Sequence, residues 1–199
     1  MKRAGVTLLL LLMSFSLLAA QEEGDEGEWD YYDDLYTLGD QTFTISIGTI
    51  FPTLFFGNGK KMDNKFRPPI GGVGSLSYNY FINKHIFLGI EAGGMFIPTL
   101  GGNMFFAIPI GLKGGYQFNY WKLEFPVSLT LGMAFQKYLD LGHFSLYMKG
   151  GGSAFYRFNN VWSFGANTNL YWFPQWTGNK SENAHGYMID LTISARYHF

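Results

Sequence analysis

The chain contains no cysteine, which excludes a disulfide scaffold, a thiolate metal centre and a cysteine nucleophile. Charge is scarce as well: Asp, Glu, Lys and Arg make up 15% of the residues, where a soluble globular chain carries about 25%. Beyond the N-terminus no segment approaches the roughly 20 apolar residues of a membrane helix. Glycine is plentiful, at 26 residues, but has no three-residue period, so a collagen-like chain is excluded. No Gly-rich phosphate loop occurs, and His85, His185 and His198 lack metal-ligand spacing, so no metal or cofactor is expected. What the chain has instead is 47% hydrophobic and 19% aromatic residues, in a length of 199 that suits one domain.

The net charge of −1 hides a division. Residues 21–40 carry nine acids and no Lys or Arg, whereas 41–199 carry six acids against twelve bases. The bases are scattered and follow an export signal, which argues against nucleic acid as the partner. That signal is Lys2 and Arg3, a Leu-rich run from Val6 to Leu18, and Ala19-Ala20, with cleavage expected after Ala20. The expected organisation is a signal peptide at 1–20, an acidic periplasmic arm at 21–40 and a folded domain at 41–199. The arm reads as solvated, although Trp29, Tyr31, Tyr32 and Tyr36 leave it able to dock on a basic partner or on the domain itself.

From residue 41 the apolar residues alternate with polar ones. Tyr187, Ile189, Leu191, Ile193, Ala195, Tyr197 and Phe199 share one face; Met188, Asp190, Thr192, Ser194, Arg196 and His198 share the other. A period of two held this long marks a β-strand. Residues 121–136 repeat it, and six less regular segments bring the total to eight strands. The links alternate in length. Asn83-Lys84, Asn119-Tyr120 and Arg157–Asn160 read as tight hairpins, whereas 57–69, 98–103, 137–142 and 174–186 are longer. Short turns on one rim and long loops on the other describe an outer-membrane barrel. Pro109 and Pro126 fall inside strands, where each implies a bulge or a missing ladder bond.

A secreted carrier barrel also alternates, with its apolar face inward. Charge density decides between the two. Residues 41–199 hold 18 charged residues in 159, far below the roughly 25–35% of a soluble surface. The polar faces are instead small, as in Ser75, Ser77 and Asn79 or Ser163, Asn167 and Asn169, and suit a narrow interior. Aromatics gather toward both rims. Phe118, Tyr120, Trp121, Tyr156, Phe158 and Trp162 lie near the short turns, and Phe51, Phe55, Phe56, Phe96, Phe135, Tyr171, Trp172 and Phe173 lie near the long loops. Two such girdles fit the two interfaces of a bilayer.

The terminal Phe199, with Tyr197 two residues before it on an alternating last strand, resembles the assembly signal of bacterial outer-membrane proteins. The whole of 41–199 is similar in size and hairpin plan to the small eight-stranded barrels of the OmpW and OmpX groups and the OmpA membrane domain. That resemblance implies an all-β, up-and-down antiparallel transmembrane barrel in the bacterial outer membrane, with membrane lipid and the barrel-assembly machinery as partners.

By phase, Glu91, Lys113, Glu124, Lys149, Asp190 and Arg196 point into the lumen. Eight strands leave an interior just filled by side chains, so these charges are expected to pair and plug it, with Lys113 touching Glu91, Glu124 or both. Such a plug opposes a general porin and favours a non-enzymatic structural or surface-contact role. Two alternatives remain: a narrow OmpW-like passage for small hydrophobic molecules, implied by the resemblance, and a lipid A-modifying enzyme. The latter rests on Asp140, His143 and Ser145, similar to the His-x-Ser pair of lipid A deacylases, but both His143 and Ser145 face inward and no oxyanion site is identifiable. The first long loop, with Lys60, Lys61, Lys65 and Arg67 against Asp63, suits anionic lipopolysaccharide, matrix or host polymers.

Overall fold

The computed structural model describes residues 35–57, 60–62, 66, 68–99, 103–138, 141–175 and 184–199. The export segment, residues 21–34 of the arm, Asp140, Lys65 and Arg67 lie outside the described residues. Strand β1 (Gln41–Gly57) is followed by a three-residue strand, β2 (Lys60–Met62), that folds back on its end. Seven long strands complete the sheet: β3 (Gly71–Phe81), β4 (Ile86–Pro98), β5 (Met104–Tyr120), β6 (Leu123–Tyr138), β7 (Leu141–Arg157), β8 (Trp162–Gln175) and β9 (Ala184–His198). Neighbours in the order β1-β3-β4-β5-β6-β7-β8-β9 pair antiparallel, and β1 closes on β9, with Thr42 opposite His198 and Gly57 opposite Ala184. Closure satisfies the backbone hydrogen bonds of an eight-strand wall without help from water, a condition any lipid-exposed sheet has to meet.

The alternation puts the apolar residues outside. Leu112 is 72% exposed, Ile193 68% and Ile47 65%, while Glu124 is 0%, Asp190 1% and Arg196 4% exposed. Greasy residues on the surface and ions within invert the soluble pattern and match a barrel whose outer solvent is lipid.

Local departures from the expected layout have physical causes. The turn between β5 and β6 is Trp121-Lys122 and not Asn119-Tyr120; both of those residues are still paired, with Glu124 and Leu123. Trp121 adopts φ 54°, the left-handed geometry that a two-residue turn demands of whichever residue occupies it. Lys137–Gly142 is mostly strand, since β6 runs to Tyr138 and β7 starts at Leu141.

The prolines act by deletion of a bond. Across β4 and β5 the register is the same on either side of an unpaired stretch that holds Gly93, Gly94 and Pro109. Across β6 and β7 it is the same on either side of Phe125 and Pro126. The only register shift in the barrel's described pairings lies between Pro52 and Leu54 of β1, where the Thr53 hydroxyl donates to the carbonyl of Tyr187 at 2.9 Å.

Glycines admit inward aromatic rings at two places. A Cβ on Gly115 would stand 2.4 Å from the Phe87 ring, and one on Gly111 would stand 2.8 Å from the Tyr147 hydroxyl. Neither ring fits the lumen beside a larger residue.

Candidate functional site

The lumen is built in three levels, each from inward positions of several strands. Toward the long loops the filling is apolar: Ile50, Val73, Met95, Ile97, Tyr147, Tyr171, Phe173 and Met188 form one buried cluster, against which Phe55, Phe66 and Phe105 pack. Tyr171 and Phe173 are 2% and 3% exposed and therefore belong to this plug, not to the outer aromatic girdle expected of them. Alternation explains the difference, because Leu170 and Trp172 hold the outward phase of β8 and their odd-numbered neighbours must turn in.

The middle level is polar. Lys149 Nζ lies 2.6 Å from Glu91 Oε1, and Lys113 Nζ lies 3.3 Å from Glu91 Oε2. The Lys149 ammonium also sits 5.3 Å from the Tyr171 ring centroid. Nearby, Asp190 accepts hydrogen bonds from the Asn169 backbone N–H (2.9 Å), Asn169 Nδ2 (2.8 Å) and the Tyr171 hydroxyl (3.0 Å). Between this level and the next is a cavity of ≈ 20 Å³, lined by serines, threonines and asparagines together with Glu91, Lys113, Lys149 and Arg196.

The third level, toward the short turns, centres on Glu124, which is 0% exposed. Its carboxylate accepts from Arg196 Nη1 at 2.9 Å, the Ser163 hydroxyl at 3.0 Å, Gln117 Nε2 at 3.3 Å and the Tyr36 hydroxyl at 2.8 Å. Arg157 Nη1 and His198 Nε2 each stand 3.8 Å away. Charge-assisted bonds of this kind are the stronger class, and here they tie β5, β6, β7, β8 and β9 together across the lumen.

Tyr36 reaches this cluster from outside the barrel wall. Residues 35–40 cross the short-turn end, anchored where Gly39 N–H donates to the Phe81 carbonyl (3.0 Å) and Phe81 N–H donates to the Asp40 carbonyl (2.9 Å). The Tyr36 ring is 1% exposed and stacks on Phe81 at 3.9 Å and 12°. Arg157 lies 5.4 Å from its centroid. Burial pushes the phenol far above its ordinary range, which keeps it a neutral donor to Glu124. This stretch, expected to open a solvated arm, is thus a strap docked on the barrel end.

All six ionisable residues assigned to the lumen are within it, in two separate groups. Lys113 touches Glu91; Glu124 is held by arginines instead. Sequence reasoning left three ionisable members of the Glu124 cluster unplaced, naming Tyr36 only as able to dock on a basic partner or on the domain itself. Arg157 was assigned to a turn, yet it shares the odd phase of Lys149 on β7. His198 shares the even phase of Arg196. Tyr36 had no phase to read, since it lies outside any strand.

The remaining candidates do not converge. Ser145 is buried and accepts a hydrogen bond from Gln136 Nε2. The His143 backbone pairs with Gln136, but its side chain and Asp140 lie outside the described residues. Lys60 and Lys61 sit on β2, with Lys60 exposed. At the C-terminus Phe199 is 67% exposed and meets Tyr197 edge-on at 4.8 Å, while its N–H donates to the Gln41 carbonyl at 3.0 Å. No group of three metal-ligating side chains occurs among the described residues.

A closed eight-strand antiparallel barrel with an apolar exterior and a packed ionic interior is an outer-membrane β-barrel. A protein-family model matches residues 23–197, and the chain belongs to the family that it describes. An uncharacterized protein of Treponema pallidum (strain Nichols) is 30% identical over 95 residues, covering 48% of this chain and 43% of that one. The chain thus spans less than half the length of the first curated relatives it matches. Among solved structures, Neisserial surface protein A has a TM-score of 0.57 at 12% identity, over 81% of this chain and 97% of its own. OprG of Pseudomonas aeruginosa has a TM-score of 0.51 at 13% identity, over 82% and 97%. At these identities the likeness speaks for the fold alone.

Proposed function

We propose that this protein is a closed, non-enzymatic outer-membrane barrel that acts through the surface it presents at its long loops. The observation that carries this reading is the double closure of the lumen: an apolar cluster at one end and the Tyr36–Glu124–Arg196 cluster at the other. What space is left between them is a small polar cavity lined by Glu91, Lys113, Lys149 and Arg196 among serines, threonines and asparagines. A passage for small hydrophobic molecules would have to begin in the apolar level, which Tyr147, Tyr171 and Phe173 fill. A hydrolytic site at Ser145 would need access that a 9% exposed side chain does not offer. With the lumen shut, contact remains, and the loop bearing Lys60, Lys61, Lys65 and Arg67 suits anionic surface polymers such as lipopolysaccharide or host glycans.

Planar-bilayer recording on the refolded chain tests this. The expected result is a flat trace in molar potassium chloride, together with salt-sensitive binding to anionic polysaccharide that falls when the four loop bases are replaced by glutamine. Discrete, reproducible current steps from the unaltered protein, or polysaccharide binding indifferent to those four replacements, would contradict it.

A further inference from the structure

The wall is not paired to its outer end everywhere. At Pro109 and at Pro126 the pairing resumes beyond the break; between β7 and β8 it does not. Their outermost rung is Met148 opposite Trp172, although β7 extends to Leu141, paired with β6, and β8 extends to Gln175, paired with β9. The same register would set Tyr147 opposite Phe173, Leu146 opposite Pro174 and Ser145 opposite Gln175, and none of these pairs forms. Pro174 lies on the unpaired stretch, a place where a strand tolerates proline. The result is a notch in the outer end of the wall.

The notch is continuous with the face that meets lipid. Phe144 and Leu146 of β7 stand exposed on the outer side of one lip, and Trp172 of β8 holds the outward phase on the other. Toward the lumen the notch is floored by rings: Tyr147 and Phe173 stack across it at 6.1 Å and 25°, as members of the buried apolar cluster. Backbone left unpaired against acyl tails is costly. A second observation gives an occupant its polar end. The Trp172 indole N–H is buried and has no acceptor among the described residues, and Nδ1 of His185, whose ring stacks on Trp172 at 5.9 Å and 25°, is likewise without a partner. An indole nitrogen can only donate, so the group that suits this place is a hydrogen-bond acceptor at the head of an apolar chain.

We infer that the notch between β7 and β8 binds one acyl chain of a membrane glycerolipid, whose ester carbonyl accepts a hydrogen bond from Trp172 Nε1. The chain runs past Leu146 and packs on the edges of Tyr147 and Phe173, and His185 holds the indole in place by stacking. The site lies outside the closed lumen and is independent of what the outer loops bind.

The test uses the refolded chain. In native mass spectrometry from neutral detergent micelles, added dipalmitoyl phosphatidylcholine is expected to leave one molecule bound at collision energies that strip all others. Trp172→Phe keeps the stack on His185 and removes the N–H, so it is expected to weaken that binding about fivefold, the worth of one ordinary hydrogen bond. In vesicles of phosphatidylcholine with a diazirine on the acyl chain, cross-links are expected to form at Tyr147 and Phe173, which lipid at an unbroken wall could not reach, as well as at outward residues such as Leu112 and Ile193. This measurement needs no variant to fold. Labelling confined to outward residues all round the wall means an ordinary lipid annulus and overturns the proposal. So does a chain that retains no lipid, the outcome if its own residues 176–183 fill the notch, and so does binding that Trp172→Phe leaves unchanged.

Discussion

Replacement of Glu124 by alanine is expected to destabilise the barrel by about 3–5 kcal/mol, the range observed when one partner of a buried ion pair is removed. The size of the effect follows from what is left behind. Arg196, 4% exposed, loses its 2.9 Å carboxylate partner and keeps weaker contacts to Gln117 Oε1 (3.2 Å) and Thr44 Oγ1 (3.3 Å). Arg157, Ser163 and the Tyr36 hydroxyl lose an acceptor in the same step. Glu124→Gln keeps the shape and part of the hydrogen bonding, so it is expected to fall between wild type and alanine. Urea unfolding of the refolded chain in micelles measures both. A loss below about 1 kcal/mol for alanine, the ordinary worth of a surface pair, would mean that the cluster is solvated and the lumen open.

Tyr36→Ala is expected to unfasten the strap and expose that cluster. The ring is fully buried, stacked on Phe81 and bonded to Glu124, and removal of an aromatic so placed costs about 3 kcal/mol or more. The absence of native cysteine makes the readout clean. With Ser163→Cys as reporter, a charged methanethiosulfonate reagent is expected to react roughly a hundredfold faster once Tyr36 is alanine, the factor that about 3 kcal/mol of docking corresponds to. Tyr36→Phe keeps the stacking and loses the phenol bonds, so it is expected to show a smaller acceleration. Equal reaction rates in wild type and Tyr36→Ala would show that residues 35–40 do not close that end.

The wall of this protein is legible in its sequence because a membrane barrel imposes one rule at nearly every position. Inward and outward residues alternate on β9 from Tyr187 to His198 without a break, and the same phase on β4, β5 and β7 places Glu91, Lys113 and Lys149 inside. Proline was less transparent. Pro109 and Pro126 interrupt ladders without moving the register, while the shift occurs at Pro52, where nothing in the alternation of β1 announces it. Turn position was misjudged at Asn119 because its type favours turns, whereas the pairing continues to Tyr120 and leaves the left-handed position to Trp121.

The interior was legible residue by residue but not as an arrangement. Phase says that Lys113 points in; it does not say whether Glu91 or Glu124 lies within reach, because that depends on the stagger of non-adjacent strands. Tyr171 and Phe173 show the converse error. Their aromatic type and their height suggested an interface role, yet their odd phase on β8 had already assigned them to the lumen. Tyr36 lies beyond the reach of any periodicity argument: a strap acquires its place from the cavity it fills.

The central claim is that apolar side chains face acyl tails while the ionic ones are sealed within, and a spin-label scan of β9 tests it most directly. Single cysteines from Met188 to His198, labelled with nitroxide in lipid vesicles, are expected to collide with dissolved oxygen at Ile189, Leu191, Ile193 and Ala195. Met188, Asp190, Thr192 and Ser194 are expected to be shielded from it. A scan in which the even-numbered positions are the oxygen-accessible ones, or in which the period of two is missing, would contradict the account.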